Sequence, residues 1–472
     1  MSGVDNLVGK MMEIAGPENV LTRELDKYTY SYDSSFHSSL VQLLPEIVVK
    51  VKSTAVVSSI MKYAFANEIP VTPRGAGSGQ TGGSVPASKG ILLDLSCWDT
   101  IEEIDAKNMQ VVVRPGVVHA NLNQALAPYN LFFPPDPGST KMATIGGMVS
   151  NNSSGLRAVK YGNTGQYVLG LEVVLPDGEV IITGGLTSKA LKSVSGIDLT
   201  KLFVGAEGTC GIITRVRLKV LPKPAARGLL TALFDKLEDS GETVLEVFKA
   251  GILPSGIEIL DDAAIKAANL YKPGLNIPAA EAMLLFEIDG NQPSVEHEGM
   301  LLQEIVKKRA KNVEWATEKA RMAKLWEARG VIGSASARVK EGATRIFAGE
   351  DITIPLENVP KALRRIKEIA QKYSIIVVIY GHVGDGNMHT APIIDPTDAN
   401  EVQKTLQLAD EIHRLAIELG GSTTGEHGVG IVRRPYMREE HGNALDVMFR
   451  LKKTLDSKGI MNPGKIWPLE GE

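Results

Sequence analysis

Two glycine-rich segments hold the residues of this chain best equipped for chemistry. Gly381-His382-Val383-Gly384-Asp385-Gly386-Asn387-Met388-His389 carries two imidazoles, and Gly425-Glu426-His427-Gly428 carries an adjacent carboxylate and imidazole. Three of the eight histidines of the chain fall in these two stretches. Neutral imidazole nitrogens with one carboxylate form a ligand set that zinc, ferrous iron and manganese share, with open positions left for a substrate. The bland alternative for each histidine is a hydrogen-bonded core residue or a surface group. Neighbouring side chains on an extended segment point to opposite sides. One of Glu426 and His427 can therefore face a metal while the other faces a substrate only if the glycines at 425, 428 and 430 bend the chain.

A chain of 472 residues is too long for one small core, so two domains, or three, are expected. Its 43% hydrophobic and 22% charged content is ordinary for a soluble globular protein. The net charge of −4, with no Lys/Arg block, argues against a nucleic-acid partner. The longest apolar runs, such as Ile375 to Tyr380, are strand-sized, so no transmembrane segment is expected. The N-terminus lacks the charged-then-apolar layout of a signal peptide, which makes a cytoplasmic location the expectation. Cys97 and Cys210 stand far apart with no CxxC, so neither a disulfide framework nor a self-contained iron–sulfur site is indicated. If this protein moves electrons, the redox centre is a bound organic cofactor or lies on a partner.

The elements that would position such a site begin after a mainly helical stretch over residues 1–44. From Glu46 the pattern is strand, helix, strand: Ile47 to Val51, a helix capped by Thr54 and running through Ala66, then Pro70 to Pro73. It feeds Pro73-Arg74-Gly75-Ala76-Gly77-Ser78-Gly79-Gln80-Thr81-Gly82-Gly83, where glycine density lets backbone N–H groups converge on an anion. Gly77 to Gly82 satisfies GxGxxG, yet a Rossmann fingerprint must open a helix, and here Pro86 and a short strand from Ile91 to Leu95 follow. Taken alone, the segment reads equally well as a surface loop. A strand over Val111 to Val117, a helix from about Ala120 to Tyr129, and the stiff Phe133 to Ser139 come next. Small residues from Thr144 to Gly155 suit a helix start packed on a flat ligand, or a tight helix–sheet contact with none. Ile212, Thr214, Val216, Leu218 and Val220 alternate with Ile213, Arg215, Arg217 and Lys219, which reads as a strand with one buried and one largely solvated face. Pro222-Lys223-Pro224 marks a domain boundary.

With PRGAGSGQTGG, PPDPGS, IGGMVSNNSSGLRAVKYG, FVGAEGTCGIIT, GHVGDGNMH, TTGEHGVG and the closing NPGK in this order, the chain resembles FAD-binding oxidoreductases of the vanillyl-alcohol oxidase / p-cresol methylhydroxylase superfamily. It is similar to the D-lactate dehydrogenase and glycolate oxidase flavoprotein-subunit branch, and the likeness runs over nearly the whole chain. The fold this implies is α+β. A two-subdomain FAD-binding domain of the p-cresol methylhydroxylase type spans 1–224, an α+β substrate-binding cap with an antiparallel sheet spans 225–422, and residues 423–472 return to the FAD domain. In the cap, strands near 229–234, 256–260, 283–288, 352–355 and 375–380 alternate with helices near 241–250, 294–309 and 359–372.

The resemblance also implies site residues. Arg74, Gly75, Ala76, Gly77, Ser78 and Gly79 would hold the FAD pyrophosphate. Pro135, Ser139, Gly146, Gly147, Asn152, Glu207, Gly211, Ile213 and Asn462 would line the rest of the cofactor. Several relatives attach the flavin to a histidine where this chain has Ser78, so the FAD is expected to be non-covalent. His382, His389 and Glu426 would be ligands of a divalent metal (Fe, Zn or Mn), with His427 the general base and Arg329 the cation for a substrate carboxylate. For Arg329 the alternative is a solvated helix charge. Some relatives carry a lysine where this chain has Gly349-Glu350, which loosens the link to any one substrate. The implied activity is oxidation of a D-2-hydroxy acid, D-lactate ahead of glycolate and D-2-hydroxyglutarate, with electrons leaving to an electron-transferring flavoprotein or an iron–sulfur subunit. The alternatives are a superfamily branch acting on alcohols or sugars, or a flavin electron-transfer subunit without substrate chemistry of its own.

Overall fold

The computed structural model describes residues 3–348 and 351–467. The position with Gly349-Glu350, where some relatives have lysine, lies outside the described residues. The chain divides into two compact units: Met1–Ser154, Asn163–Lys223 and Glu426–Glu472 form the first, and Gly155–Gly162 with Pro224–Gly425 form the second. Among the described residues no helix is long and apolar enough to cross a membrane.

The first unit holds two sheets. Ile47–Lys50, Ile91–Asp94 and Val71–Arg74 run parallel in that order, with Val20–Leu21 antiparallel at the edge of Ile47–Lys50. The crossover between the first and last of these is the helix Thr54–Ala66, which buries Val57, Ile60, Met61 and Ala64 at helical spacing. Thr54 is the first helical residue rather than its cap. Its hydroxyl donates to Glu172 Oε1 at 2.7 Å, and Ser53 holds the cap position. The second sheet is antiparallel in the order Ile101–Asp105, Gln110–Val113, Ile212–Lys219, Val168–Val174, Val180–Gly184. Here the expected half-solvated strand is corrected. Ile212–Lys219 is the central strand and is buried on both faces for most of its length, with Arg217 taken inside. Arg217 donates to Gln110 Oε1 at 3.1 Å, to Leu186 O at 3.1 Å and to Glu103 Oε2 at 3.2 Å, so its charge is hydrogen-bonded instead of solvated.

The second unit is built on an eight-stranded antiparallel sheet. Its order is Lys311–Ala316, Ala226–Phe234, Ala282–Gly290, Gly256–Asp261, Ile376–Gly381, Asn387–Ile394, Thr344–Arg345, with Ile352–Thr353 also on Asn387–Ile394. Helices including Leu237–Lys249, Asp262–Tyr271, Gln292–Val306, Val359–Tyr373 and Ala399–Glu418 belong to the same unit. Val359–Tyr373 shows why these segments are helical. Val359, Leu363, Ile366 and Ala370 recur on one buried stripe, Pro360 sits in the first turn, and Ser374 ends the helix at φ +56°. The strands Lys311–Ala316 and Asn387–Ile394 were not expected from the sequence. The second turns the histidine-rich segment into a hairpin, Ile376–Gly381 and Asn387–Ile394 joined through a tight turn at Val383–Asp385.

Candidate functional site

In the first unit, Arg74 ends its strand buried, with Nη2 donating to Tyr32 O at 2.8 Å and Nη1 to Ser84 O at 3.3 Å. The loop after it, residues 75–90, contains no helix, which settles against a Rossmann arrangement. Gly77 has φ +67°, and a Cβ there would lie 2.1 Å from the Arg74 guanidinium. Gln80 Oε1 and Ser84 Oγ within the loop, and Asn462 Oδ1 beside it, are buried without a protein hydrogen-bond partner among the described residues. Asn462 is tied to the loop through Nδ2, which donates to Gly83 O at 2.9 Å and Glu207 O at 2.8 Å. A glycine cradle with a buried guanidinium and orphaned buried oxygens fits a phosphate- and hydroxyl-rich ligand such as FAD.

The other residues assigned to the cofactor have visible structural duties. Gly146 packs where a Cβ would meet Pro115 Cβ at 2.6 Å, and Gly211 where one would meet Val173 Cγ1 at 2.7 Å. Thr144 Oγ1 caps the helix Ile145–Asn151 by accepting from Gly147 N at 3.4 Å. Asn152 ends that helix at φ +53°, its Oδ1 accepting from Gly165 N at 2.8 Å. Pro135 and Ile213 are buried, and Ser139 is half-buried.

Glu426 and His427 open the last stretch of the first unit. His427 O accepts from Asn151 Nδ2 at 3.2 Å, Ser154 Oγ reaches Glu426 Oε2 at 3.4 Å, and His427 Nε2 is 3.6 Å from Glu426 Oε1. Glu207 shapes the turn beyond them, its carboxylate accepting from Val429 N at 2.6 Å and Gly430 N at 2.8 Å. Burial pushes the Glu207 carboxyl up, only partly offset by these two N–H groups and by Arg433 and Lys465. Gly428 and Gly430 take φ +85° and +53°, so the chain does bend here as the glycines allow.

In the second unit, the hairpin places Tyr380 opposite His389. The His382 and His389 rings are 5.2 Å apart at 87°, both nearly buried, and the Tyr380 ring is 5.2 Å from His389. The Arg329 guanidinium stands 5.1 Å from the Tyr380 ring centre, with Arg345 Nη1 donating to the Tyr380 hydroxyl at 2.8 Å. Arg329 is no solvated helix charge: its side chain is 16% exposed and its Nε donates to Glu258. The other oxygen of Glu258 meets His382 Nδ1 at 2.5 Å. Burial pushes the Glu258 carboxyl up, but the charges and hydrogen bonds of His382 and Arg329 more than offset it and hold the group below its ordinary value.

Asp351, fully buried, accepts from Asn387 Nδ2 at 2.9 Å, Thr424 Oγ1 at 2.9 Å and Gly425 N at 3.0 Å, and lies 3.9 Å from His389 Nδ1. Gly425 must be glycine for room, since a Cβ would meet Asn387 Nδ2 at 2.2 Å. Two buried imidazoles within one hairpin, ringed by carboxylates that can orient them, are a donor set suited to a divalent metal. Sequence reasoning missed Glu258, Asp351 and Tyr380. The one available signal was a charged residue inside the apolar run Ile257-Glu258-Ile259-Leu260.

The class of protein is given by comparison with known families. The family of FAD linked oxidases, C-terminal domain, matches residues 223–466, and the FAD binding domain family matches residues 45–184. The chain is 38% identical over 461 residues to the glycolate oxidase subunit GlcD of Bacillus subtilis (strain 168), covering 97% of this chain and 96% of that protein. It is 32% identical over 471 residues to the probable mitochondrial D-lactate dehydrogenase of Danio rerio, covering 99% and 93%. In fold it is similar to the 4-ethylphenol oxidase from Gulosibacter chungangensis, with a TM-score of 0.82 at 21% identity over 100% of this chain and 99% of that one. p-Cresol methylhydroxylase gives a TM-score of 0.82 at 17% identity, over 100% and 98%. The chain belongs to the FAD-linked oxidase family, in the branch of D-lactate dehydrogenases and glycolate oxidase flavoprotein subunits, and is an FAD-dependent oxidoreductase.

Proposed function

We propose that this protein is a metal-assisted, FAD-dependent D-2-hydroxy acid dehydrogenase that converts D-lactate to the 2-oxo acid and passes electrons to a partner protein. Glycolate and D-2-hydroxyglutarate are the alternative substrates. Residues 1–224 and 423–472 form the FAD-binding domain in this reading, and 225–422 the substrate cap. The observation that carries it is the buried His382 and His389 pair beside the Arg329–Glu258 ion pair, in a chain of this family branch.

FAD, when bound, would supply the acceptor for the C2 hydride, and a divalent metal would supply a Lewis acid that lowers the pKa of the substrate hydroxyl. His382, His389 and Glu426 would hold the metal. Arg329 orients the substrate carboxylate through its planar guanidinium. His427 takes the hydroxyl proton as the general base. Arg74 and the backbone of Gly75, Ala76, Gly77, Ser78 and Gly79 hold the pyrophosphate, non-covalently because Ser78 offers no imidazole for attachment. Pro135, Ser139, Gly146, Gly147, Asn152, Glu207, Gly211, Ile213 and Asn462 line or support the rest of the cofactor site.

The test is an anaerobic screen of 2-hydroxy acids for bleaching of the flavin spectrum, repeated after metal removal. Bleaching by D-lactate that disappears on chelation and returns with metal is the expected result. A flavin that no 2-hydroxy acid reduces would leave the protein an electron-transfer subunit.

A further inference from the structure

We propose that Glu258 is a positioning residue that orients His382 for metal binding and Arg329 for substrate binding at once. This rests on the reading of His382 as a metal ligand and goes beyond it by assigning a residue outside both glycine-rich segments. Glu258 lies in the strand Gly256–Asp261, all six residues of which are buried, and is itself 0% exposed. One carboxylate oxygen meets His382 Nδ1 at 2.5 Å and the other accepts from Arg329 Nε. A buried ion pair is a weak source of stability, because desolvation offsets most of the attraction, so stability alone does not account for a carboxylate in an apolar strand.

Its consequence for His382 is chemical. An Nδ1–H donated to a carboxylate fixes the tautomer whose lone pair is on Nε2, the form a metal requires, and raises the basicity of the ring. The consequence for Arg329 is geometric. With Nε held by Glu258, the guanidinium plane is fixed over Tyr380, whose ring is in turn 5.2 Å from His389. Loss of Glu258 therefore loosens a metal ligand and a carboxylate-binding group together, whereas loss of Arg329 alone leaves the clamp on His382 in place.

The test uses the purified FAD-loaded protein stripped of metal and titrated with cobalt(II) alone. Glu258→Gln keeps the size of the side chain and removes its charge. We expect it to retain FAD, to bind cobalt(II) about 10–100-fold more weakly, to show a shifted cobalt visible spectrum at saturation, and to raise KM for the 2-hydroxy acid. A purely structural glutamate would leave the saturated spectrum unchanged. Cobalt affinity of Glu258→Gln within twofold of the parent, with His382→Ala binding more than tenfold more weakly, would overturn the positioning role and leave the metal site standing. If His382→Ala also binds as tightly as the parent, the metal reading itself fails and this proposal with it. Should Glu258→Gln not fold, ¹⁵N-histidine NMR of the parent protein decides, with His382 identified by its loss in His382→Gln: an Nδ1–H tautomer supports the proposal and an Nε2–H tautomer overturns it.

Discussion

At the residue scale, the two histidine roles separate in a single set of variants. His382→Ala and His389→Ala are expected to lose the metal and keep FAD, since the residues proposed to bind flavin lie on other segments of the chain. His427→Ala is expected to keep both and to reduce flavin about 10²–10⁴-fold more slowly, the range of general acid–base catalysis. Metal analysis and stopped-flow flavin reduction read the two effects, and equal metal loss in all three variants would contradict the division of roles. Lys465 offers a second test. It is fully buried, its Nζ donates to Val85 O at 2.5 Å, and burial pulls its pKa down to about 7, with Asp33 and Glu207 opposing and Arg434 adding to the shift. Between about pH 7 and the unfolded value near 10.5 the unfolded chain binds the extra proton. Stability therefore rises with pH across that window, by up to about 1.4 kcal/mol per pH unit for one proton. The stability of the natural protein relative to Lys465→Met should increase from pH 7 to pH 9 in thermal unfolding, and a constant difference would show that Lys465 keeps its charge.

At the scale of elements, the loop proposed to hold the pyrophosphate depends on one conformation at one residue. Gly77→Asp puts a side chain at φ +67°, 2.1 Å from the Arg74 guanidinium, and adds a carboxylate where the proposed reading places a phosphate. Purified Gly77→Asp is expected to be colourless. Gly138→Ala, whose Cβ would meet nothing within 4 Å, is expected to remain yellow and to release FAD on mild acid denaturation. Flavin that precipitated with the protein would mean covalent attachment. The sequence revealed the parallel strand–helix–strand unit, the loop and the two histidine segments because glycine spacing and apolar periodicity are local. It hid what depends on neighbours. The partners of Arg217, Gln110 and Glu103, are about a hundred residues away, so alternation alone made that strand look half-solvated. Glu258 and Asp351 have no motif of their own, since each matters only through side chains that the sheet brings to it from distant segments. Asn387–Ile394 was hidden because its glycine-rich start reads as a loop, while its apolar register is set by the pairing with Ile376–Gly381.

At the scale of the whole molecule, the electrons must leave the protein, because each turnover leaves reduced flavin that must be reoxidised. The chain has two cysteines, Cys97 half-buried and Cys210 buried, and no group of four to carry an iron–sulfur cluster. The one GxGxxG stretch opens no helix, so a nicotinamide site of the Rossmann kind has no support. On the proposed reading the partner is a protein acceptor, either an electron-transferring flavoprotein or an iron–sulfur subunit, with the former ahead of the latter. Steady-state turnover of the isolated chain with D-lactate distinguishes the cases. Oxygen alone or NAD alone should support little turnover, and an artificial dye should restore it, because a small dye needs no docking surface to reach the flavin. Addition of either candidate protein should then accelerate oxidation without the dye, with saturation in acceptor concentration that a diffusing small molecule would not show. Fast turnover with oxygen, or with NAD and no added protein, would remove the need for a partner.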